Sequence, residues 1–274
     1  MKKFSIAFSA VLLFSVCVIF YNFFTTANYY FGKDNIEIVY PTNHNIKHMA
    51  LIMDGNRRWA KKNLLKTAQG HAAGAEAIKN VVSFAINAGI PNISLYAFST
   101  ENFNRSEEEK NGIFKLACKW MEQFAPTCME KGIRIRFIGE TELFPEDMKL
   151  ACKDLEEKTA SFTNLTLNVL LGYGGRREIV QAVKSLAHQV KEGKITENQI
   201  DENILHANLW LGSDTPDPEI VVRTGYEKRL SNFLTFQTVY SELFFLDCFW
   251  PEITEKHLCE VVETYQKRKR NFGA

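Results

Sequence analysis

The 274-residue chain sets 33 Lys and Arg against 32 Asp and Glu, a formal net charge of +1, so it lacks the global basic field of a nucleic-acid binder and any anion site must be local. Its length can bury a sizeable core, and no stretch has the composition of a linker between domains. The six cysteines (Cys17, Cys118, Cys128, Cys152, Cys248 and Cys259) are scattered without a Cys-x-x-Cys pair, which argues against a zinc site or disulfide framework and fits a reducing compartment.

Lys2 and Lys3 precede an uncharged run from Phe4 to Phe24, long enough to span a bilayer. Residues 1–27 therefore read as a membrane anchor, with a cleaved signal or a downstream start at Met49 as alternatives. The positive-inside rule keeps Lys2 and Lys3 in the cytoplasm and would send the rest of the chain across. Residues 28–44 are polar and aromatic without a period and read as a tether to a domain over residues 45–274. Met49 to Met53 is too short for an independent helix and suits a strand buried on both faces, with Gly55 and Asn56 permitting a tight turn after Asp54. Helical spacing of Ala75, Ile78, Val81, Val82 and Ala85 follows, ending near Gly89. Ile93 to Phe98 is a predicted strand, Glu107 to Phe124 a helix, Ile133 to Ile138 a strand, Pro145 to Lys158 a helix and Leu165 to Leu171 a strand. Gly172 to Arg177 ends that strand; helices are predicted over Glu178 to Val190 and Glu202 to Leu211, strands over Ile220 to Val222 and Leu243 to Leu246, and a closing helix over Thr254 to Arg270. This alternation predicts an α/β fold: a single domain with a mostly parallel sheet of about six strands flanked by helices.

In such a sheet ligands bind at the carboxyl ends of the strands. Four strand ends there carry Asp54 to Arg58, Ser99 to Arg105, Gly172 to Arg177, and Arg223 to Ser231. Arg58, Arg105, Arg223 and Arg229 offer forked contacts to phosphate oxygens, with Ser231 and the amides of the Gly55 turn adding hydrogen bonds, so the ligand implied carries a pyrophosphate. Asp54, with Glu242, could hold Mg²⁺, which commonly takes one or two carboxylates plus substrate phosphates. An aspartyl-phosphate phosphatase would want a second acid two residues after Asp54, where Asn56 stands; a Gly-x-x-x-x-Gly-Lys-Ser/Thr loop and a Gly-x-Ser-x-Gly turn are both missing. Beneath this edge Phe84, Phe98, Phe103, Ile138, Leu165, Leu167, Val169 and Leu170 supply apolar bulk. A lipid tail bearing a diphosphate would fit both halves.

The motifs His48-Met-Ala-Leu-Ile-Met-Asp-Gly-Asn-Arg-Arg-Trp-Ala60, Gly70-His71, Leu95 to Arg105, Ile220-Val-Val-Arg-Thr-Gly, Arg229-Leu-Ser-Asn-Phe-Leu, Tyr240-Ser-Glu-Leu-Phe-Phe and Trp250-Pro251 stand in the order in which the cis-prenyltransferase family carries them. From His48 to Gly273 the chain resembles that family, in particular its bacterial undecaprenyl diphosphate synthases. The resemblance implies a homodimer that condenses isopentenyl diphosphate with an allylic diphosphate such as farnesyl diphosphate, using Mg²⁺, with a shorter-chain cis-prenyl diphosphate synthase as the alternative. It implies Asp54 and Asn102 as catalytic residues, and Asp54 and Glu242 as metal ligands. Gly55, Asn56, Arg57, Arg58, Trp59, His71, Ser99, Thr100, Glu101, Phe103 and Arg105 would meet substrate around the allylic diphosphate, and Arg223, Arg229 and Ser231 would hold isopentenyl diphosphate. Leu165 falls at the far end of the family's apolar tunnel. Three positions depart from the pattern: Thr67 replaces an arginine beside Lys66, Tyr226 a glycine, and Asn271-Phe-Gly273 an Arg-x-Gly beside Arg270. A non-catalytic partner subunit and an unrelated phosphohydrolase are the competing readings. The charge pattern of the leader favours translocation of the catalytic domain, but prenyl diphosphates in bacteria are made in the cytoplasm and an apolar product must reach the bilayer, so the reading is a membrane-associated enzyme with its catalytic domain facing the cytoplasm.

Overall fold

A computed structural model of the protein describes residues 38–270. Tyr40 begins a compact unit. The Tyr40 hydroxyl donates to Glu255 Oε2 at 2.5 Å, its ring lies 6.4 Å from that of Phe84, and Ile46 is buried. The predicted anchor lies outside the described residues. Among those described, no helix is long and apolar enough to cross a membrane.

The chain alternates strands and helices in the order β1 (His48–Ile52), α1 (Asn56–Lys62), α2 (Thr67–Ala88), β2 (Asn92–Ser99), α3 (Glu107–Lys131), β3 (Ile133–Ile138), α4 (Glu146–Thr159) and β4 (Leu165–Tyr173). It continues with α5 (Gly175–Lys191), α6 (Glu202–Ala207), β5 (Ile220–Arg223), β6 (Glu242–Phe245) and α7 (Glu255–Lys267). The strands form one six-stranded sheet in the order β3-β4-β2-β1-β5-β6. Every pairing is parallel, as predicted for most of the sheet. Alternate residues divide between two cores: Met49 and Leu51 of β1 join the larger one with α2, α3, α4 and α7, while Ala50 and Ile52 join a smaller one with Leu211, Phe233 and Leu234. This two-sided burial is why β1 reads as an uninterrupted apolar run.

The element boundaries differ from the sequence reading where local signals compete with packing. α1 replaces a predicted loop, because seven residues give too little span for an apolar stripe. α3 continues past Phe124 through Pro126 to a left-handed Gly132, since Phe124 and Cys128 remain on the core face. α5 begins three residues early, at Gly175. α6 ends at Ala207 rather than Leu211, and α7 at Lys267 rather than Arg270.

Candidate active site

β1 and β5 are neighbours in register, with Ile52 opposite Arg223, so the residues that follow each strand meet at the carboxyl edge. Asp54 Oδ2 accepts from Arg223 Nη2 at 2.9 Å, and Asp54 Oδ1 lies 3.1 Å from Arg58 Nη2 on α1. The backbone is pinned as well: Thr224 Oγ1 donates to the Asp54 carbonyl at 2.8 Å, and the Trp250 amide donates to it at 3.0 Å. Gly55 turns the chain at φ +113°, and a Cβ there would fall 2.7 Å from the Phe249 ring, so only glycine fits.

Arg223 is 4% exposed. Its Nη1 donates to Ser231 Oγ at 2.8 Å and to the Arg229 carbonyl, while its Nε is buried without a partner. Glu227 joins the two arginine groups: Oε1 lies 3.2 Å from Arg58 Nη1 and Oε2 2.5 Å from Arg229 Nη1.

On the other side of β1, Ser99 ends β2 and caps a short 3₁₀ turn (Thr100–Asn104), with Asn102 Oδ1 accepting from the Ser99 amide at 3.2 Å. Glu101 Oε1 accepts from Asn232 Nδ2 at 3.0 Å, tying this turn to the loop after Ser231. Glu109, in the first turn of α3, was not among the residues singled out from sequence. Its Oε1 lies 3.2 Å from Arg105 Nη1, 3.5 Å from His71 Nε2 and 3.8 Å from Arg57 Nε. His71 Nε2 is buried without a hydrogen-bond partner, the Glu109 carboxylate standing 3.5 Å away. Burial, helped by the Arg105 charge, pushes the His71 pKa below the ordinary imidazole value.

Three cavities meet at Met53, Asn56 and His71. One, of about 930 Å³, is lined by Asp54, Gly55, Arg57, Arg58 and Arg105, and by Lys66 and Thr67, the position where the family carries arginine. A second, of about 560 Å³, is lined by Asp54, Ser99, Glu101, Asn102, Arg105, Arg223 and Ser231. The third is apolar, about 120 Å³, between α2, α3 and the sheet. Guanidinium groups and a partnerless buried N–H around two joined polar cavities suit two phosphorylated groups, and the apolar cavity leads away from both.

Several expected site residues lie elsewhere. Glu242 opens β6 level with Ile220, three residues before Arg223, and pairs with Arg268. It therefore stands toward the amino edge, about 10 Å or more along the strands from Asp54, and one chain does not bring the two carboxylates to one ion. Among the described residues no cluster of three or more His, Cys, Asp or Glu could hold a metal. Arg229 is exposed on Glu227, outside the lining of these cavities. Trp59 and Thr100 also lie outside the linings, and Phe103 packs at 5.0 Å on Phe98. Arg177, from the stretch that follows β4, turns to Glu140 at 2.8 Å. Leu165 is fully buried and does not line the apolar cavity. Tyr226 holds a left-handed φ of 64° with its ring 5.1 Å from that of Phe249; residues 271–273 lie outside the described residues.

Fold and site define a class: an α/β protein whose parallel sheet carries an arginine-lined polar cleft above an apolar cavity. The family model described as "Putative undecaprenyl diphosphate synthase" matches residues 52–273. A Micrococcus luteus ditrans,polycis-undecaprenyl-diphosphate synthase, specific for (2E,6E)-farnesyl diphosphate, is 42% identical over 228 residues, covering 83% of this chain and 91% of its own. A geranylgeranyl-diphosphate-specific tritrans,polycis-undecaprenyl-diphosphate synthase from Pyrococcus horikoshii is 43% identical over 83% of this chain and 86% of its own. Among solved structures, lavandulyl diphosphate synthase from Lavandula x intermedia, in complex with dimethylallyl diphosphate, superposes with a TM-score of 0.81 at 28% identity, over 84% of this chain and 98% of its own. The chain belongs to the undecaprenyl diphosphate synthase family of cis-prenyltransferases.

Proposed function

We propose that the protein condenses isopentenyl diphosphate with an allylic diphosphate to give a cis-polyprenyl diphosphate. The observation that carries this reading is the place of Asp54: it lines both polar cavities and is held by Arg58 from one and Arg223 from the other. In this reading Arg57, Arg58, Arg105 and His71 hold the allylic diphosphate, while Arg223 and Ser231 hold isopentenyl diphosphate. The allylic C–O bond breaks, its electron pair leaving on the diphosphate, and the isopentenyl double bond forms the new C–C bond with loss of one proton. Preorganised guanidinium groups stabilise the leaving charge, and the apolar cavity keeps water from the electron-deficient carbon.

Mg²⁺ fits the donor set, because Asp54 is the one carboxylate lining the larger polar cavity and magnesium takes few carboxylates together with substrate phosphates. Asp54 would hold it, and the ion would supply charge neutralisation for the departing diphosphate. We also propose a homodimer, supported by exposed Val239 and Tyr240 just ahead of edge strand β6. Membrane association with the catalytic domain facing the cytoplasm rests on the uncharged run at residues 4–24 and the apolar product.

The farnesyl- and geranylgeranyl-specific relatives leave the primer open. The small apolar cavity favours the second reading, a synthase of shorter chains. Purified protein incubated with radiolabelled isopentenyl diphosphate, farnesyl diphosphate and Mg²⁺ is expected to yield elongated diphosphates. Phosphate release without condensation, or elongation only after a partner subunit is added, would overturn the proposal.

A further inference from the structure

Three neighbouring strands, β1, β5 and β6, send loops to the same corner of the carboxyl edge. From β5, the Gly225 amide donates to the Cys248 carbonyl at 2.7 Å, and Gly225 packs so closely that an added Cβ would fall 2.8 Å from Arg58 Nη2 and 3.0 Å from Asp54 Cγ. The next residue, Tyr226, has a left-handed φ of 64°, a conformation that crowds the Cβ of a bulky residue and persists only where surrounding contacts hold it. Tyr226 is 49% exposed, so filling the core does not account for it.

The contact is Phe249. The two rings meet edge to face, with centroids 5.1 Å apart and planes at 70°. The Phe249 ring also lies against the Gly55 turn and carries two cations, with Arg58 Cζ and Lys62 Nζ each 5.7 Å from its centroid. Arg58 is thus held by the Asp54 carboxylate, the Glu227 carboxylate and an aromatic face. A diphosphate arriving at Arg58 competes with both carboxylates for its N–H groups but not with the ring for its face. Removing the Tyr226 ring leaves Phe249 with an open edge, and the guanidinium on it gains freedom that substrate binding must then remove.

We propose that Tyr226 is a positioning residue that acts through Phe249 to hold Arg58 toward the larger polar cavity, and so sets the affinity for the diphosphate bound there. The inference rests on the reading of that cavity as the allylic site. The test measures KM for farnesyl diphosphate, kcat and thermal unfolding in the full-length wild type, Tyr226→Phe, Tyr226→Ala and Tyr226→Gly. Tyr226→Ala and Tyr226→Gly are expected to raise KM equally, by about three- to tenfold, the scale of one lost aromatic contact, with kcat within about twofold of wild type. Tyr226→Phe is expected to keep the wild-type KM. Glycine relieves the left-handed strain that alanine retains, so Tyr226→Gly is expected to melt above Tyr226→Ala. In a Phe249→Leu background, Tyr226→Ala is expected to raise KM no further. An unchanged KM in both variants that lack the ring, a KM that follows melting temperature, or additive effects in the double variant would overturn the brace while leaving the synthase reading intact. If the wild type does not condense, calorimetric titration of inorganic pyrophosphate into the same proteins decides. Weaker binding to Tyr226→Ala and Tyr226→Gly alone would uphold the brace and overturn the synthase reading; equal binding throughout would overturn both.

Discussion

Arg223 Nη2 and Asp54 Oδ2 lie 2.9 Å apart although the residues are 169 positions apart in the chain, and the arginine is 4% exposed against 30% for the aspartate side chain. A guanidinium so deeply placed, with its Nε already partnerless, depends on that carboxylate. Removing one member of a buried pair costs about 3–5 kcal/mol, and the partial exposure of Asp54 places Asp54→Ala near the lower end. Asp54→Asn keeps an accepting oxygen and is expected to unfold in urea close to wild type, yet to lose at least about 100-fold in isoprenyl transfer, the usual scale for removing a charge-stabilising group. Near-normal turnover in Asp54→Asn would show that the carboxylate charge is not needed.

Two glycines in long helices should respond oppositely to alanine. At Gly74 in α2 a Cβ would fall 2.2 Å from Asn56 Oδ1 and 2.9 Å from Trp250 Cδ1, and the Gly74 carbonyl already accepts from Trp250 Nε1 at 2.7 Å. The gain in helix propensity, about 1 kcal/mol, is expected to be outweighed by overpacking of about 1–3 kcal/mol. Displacing Asn56 is also expected to raise KM for the allylic substrate. At Gly112 in α3 nothing lies within 4 Å of the added Cβ, so Gly112→Ala is expected to stabilise by roughly 0.5–1 kcal/mol. Thermal unfolding of the pair checks both signs; equal shifts would refute the steric account.

His48 is fully buried, with Nδ1 2.7 Å from the Pro216 carbonyl, Nε2 2.7 Å from Ser94 Oγ, and its amide on Glu219 Oε2 at 2.9 Å. Burial holds its pKa down at about 4, against 6.5 when free, with the Pro216 hydrogen bond opposing. Below pH 6.5 the unfolded chain takes a proton that the folded chain refuses. This contribution to stability therefore falls as pH drops from 6.5 to about 4 and is level below, a total on the order of 3 kcal/mol. Urea titrations across that range should show a shallower pH slope for His48→Gln than for wild type. An unchanged slope would assign the acid sensitivity to other groups.

Glu178 is completely buried. Its Oε2 accepts from the Tyr173 hydroxyl at 2.5 Å and Gln237 Nε2 at 3.0 Å, while Oε1 accepts from the Trp210 amide at 2.9 Å. Burial raises its pKa, opposed by those same hydrogen bonds. Three donors converge on two oxygens, so Glu178→Gln must turn an NH₂ group toward a donor. A loss of about 1–3 kcal/mol is expected in urea; a change under 0.5 kcal/mol would mean that the network rearranges freely.

Much of the fold was legible because strands buried on both faces leave apolar runs, as β1 does from Met49 to Ile52. The arginines and Asp54 were legible because they follow those runs directly. Glu109 was not: an acid in the first turn of α3 has an ordinary role beside the helix dipole, and only the packing of α2 against α3 brings His71 to it. The place of Glu242 follows from β6: the residue that opens a strand of a parallel sheet lies at its amino edge, so within one chain it stands away from Asp54.

The sheet order has a consequence for how the protein is made. β1 can pair with β2 once residue 99 is made but can meet β5 only when Ile220 to Arg223 have emerged, and Asp54 cannot gain Arg223 before then. The entropy of closing so long a loop must be met before that contact forms. A nascent chain that has completed β1 through β4 can hold most of its apolar core while lacking Arg223, Glu227 and Ser231. Truncations before β5 therefore leave the Asp54 loop without its strongest partner, and ribosome-bound intermediates of this length have no assembled site.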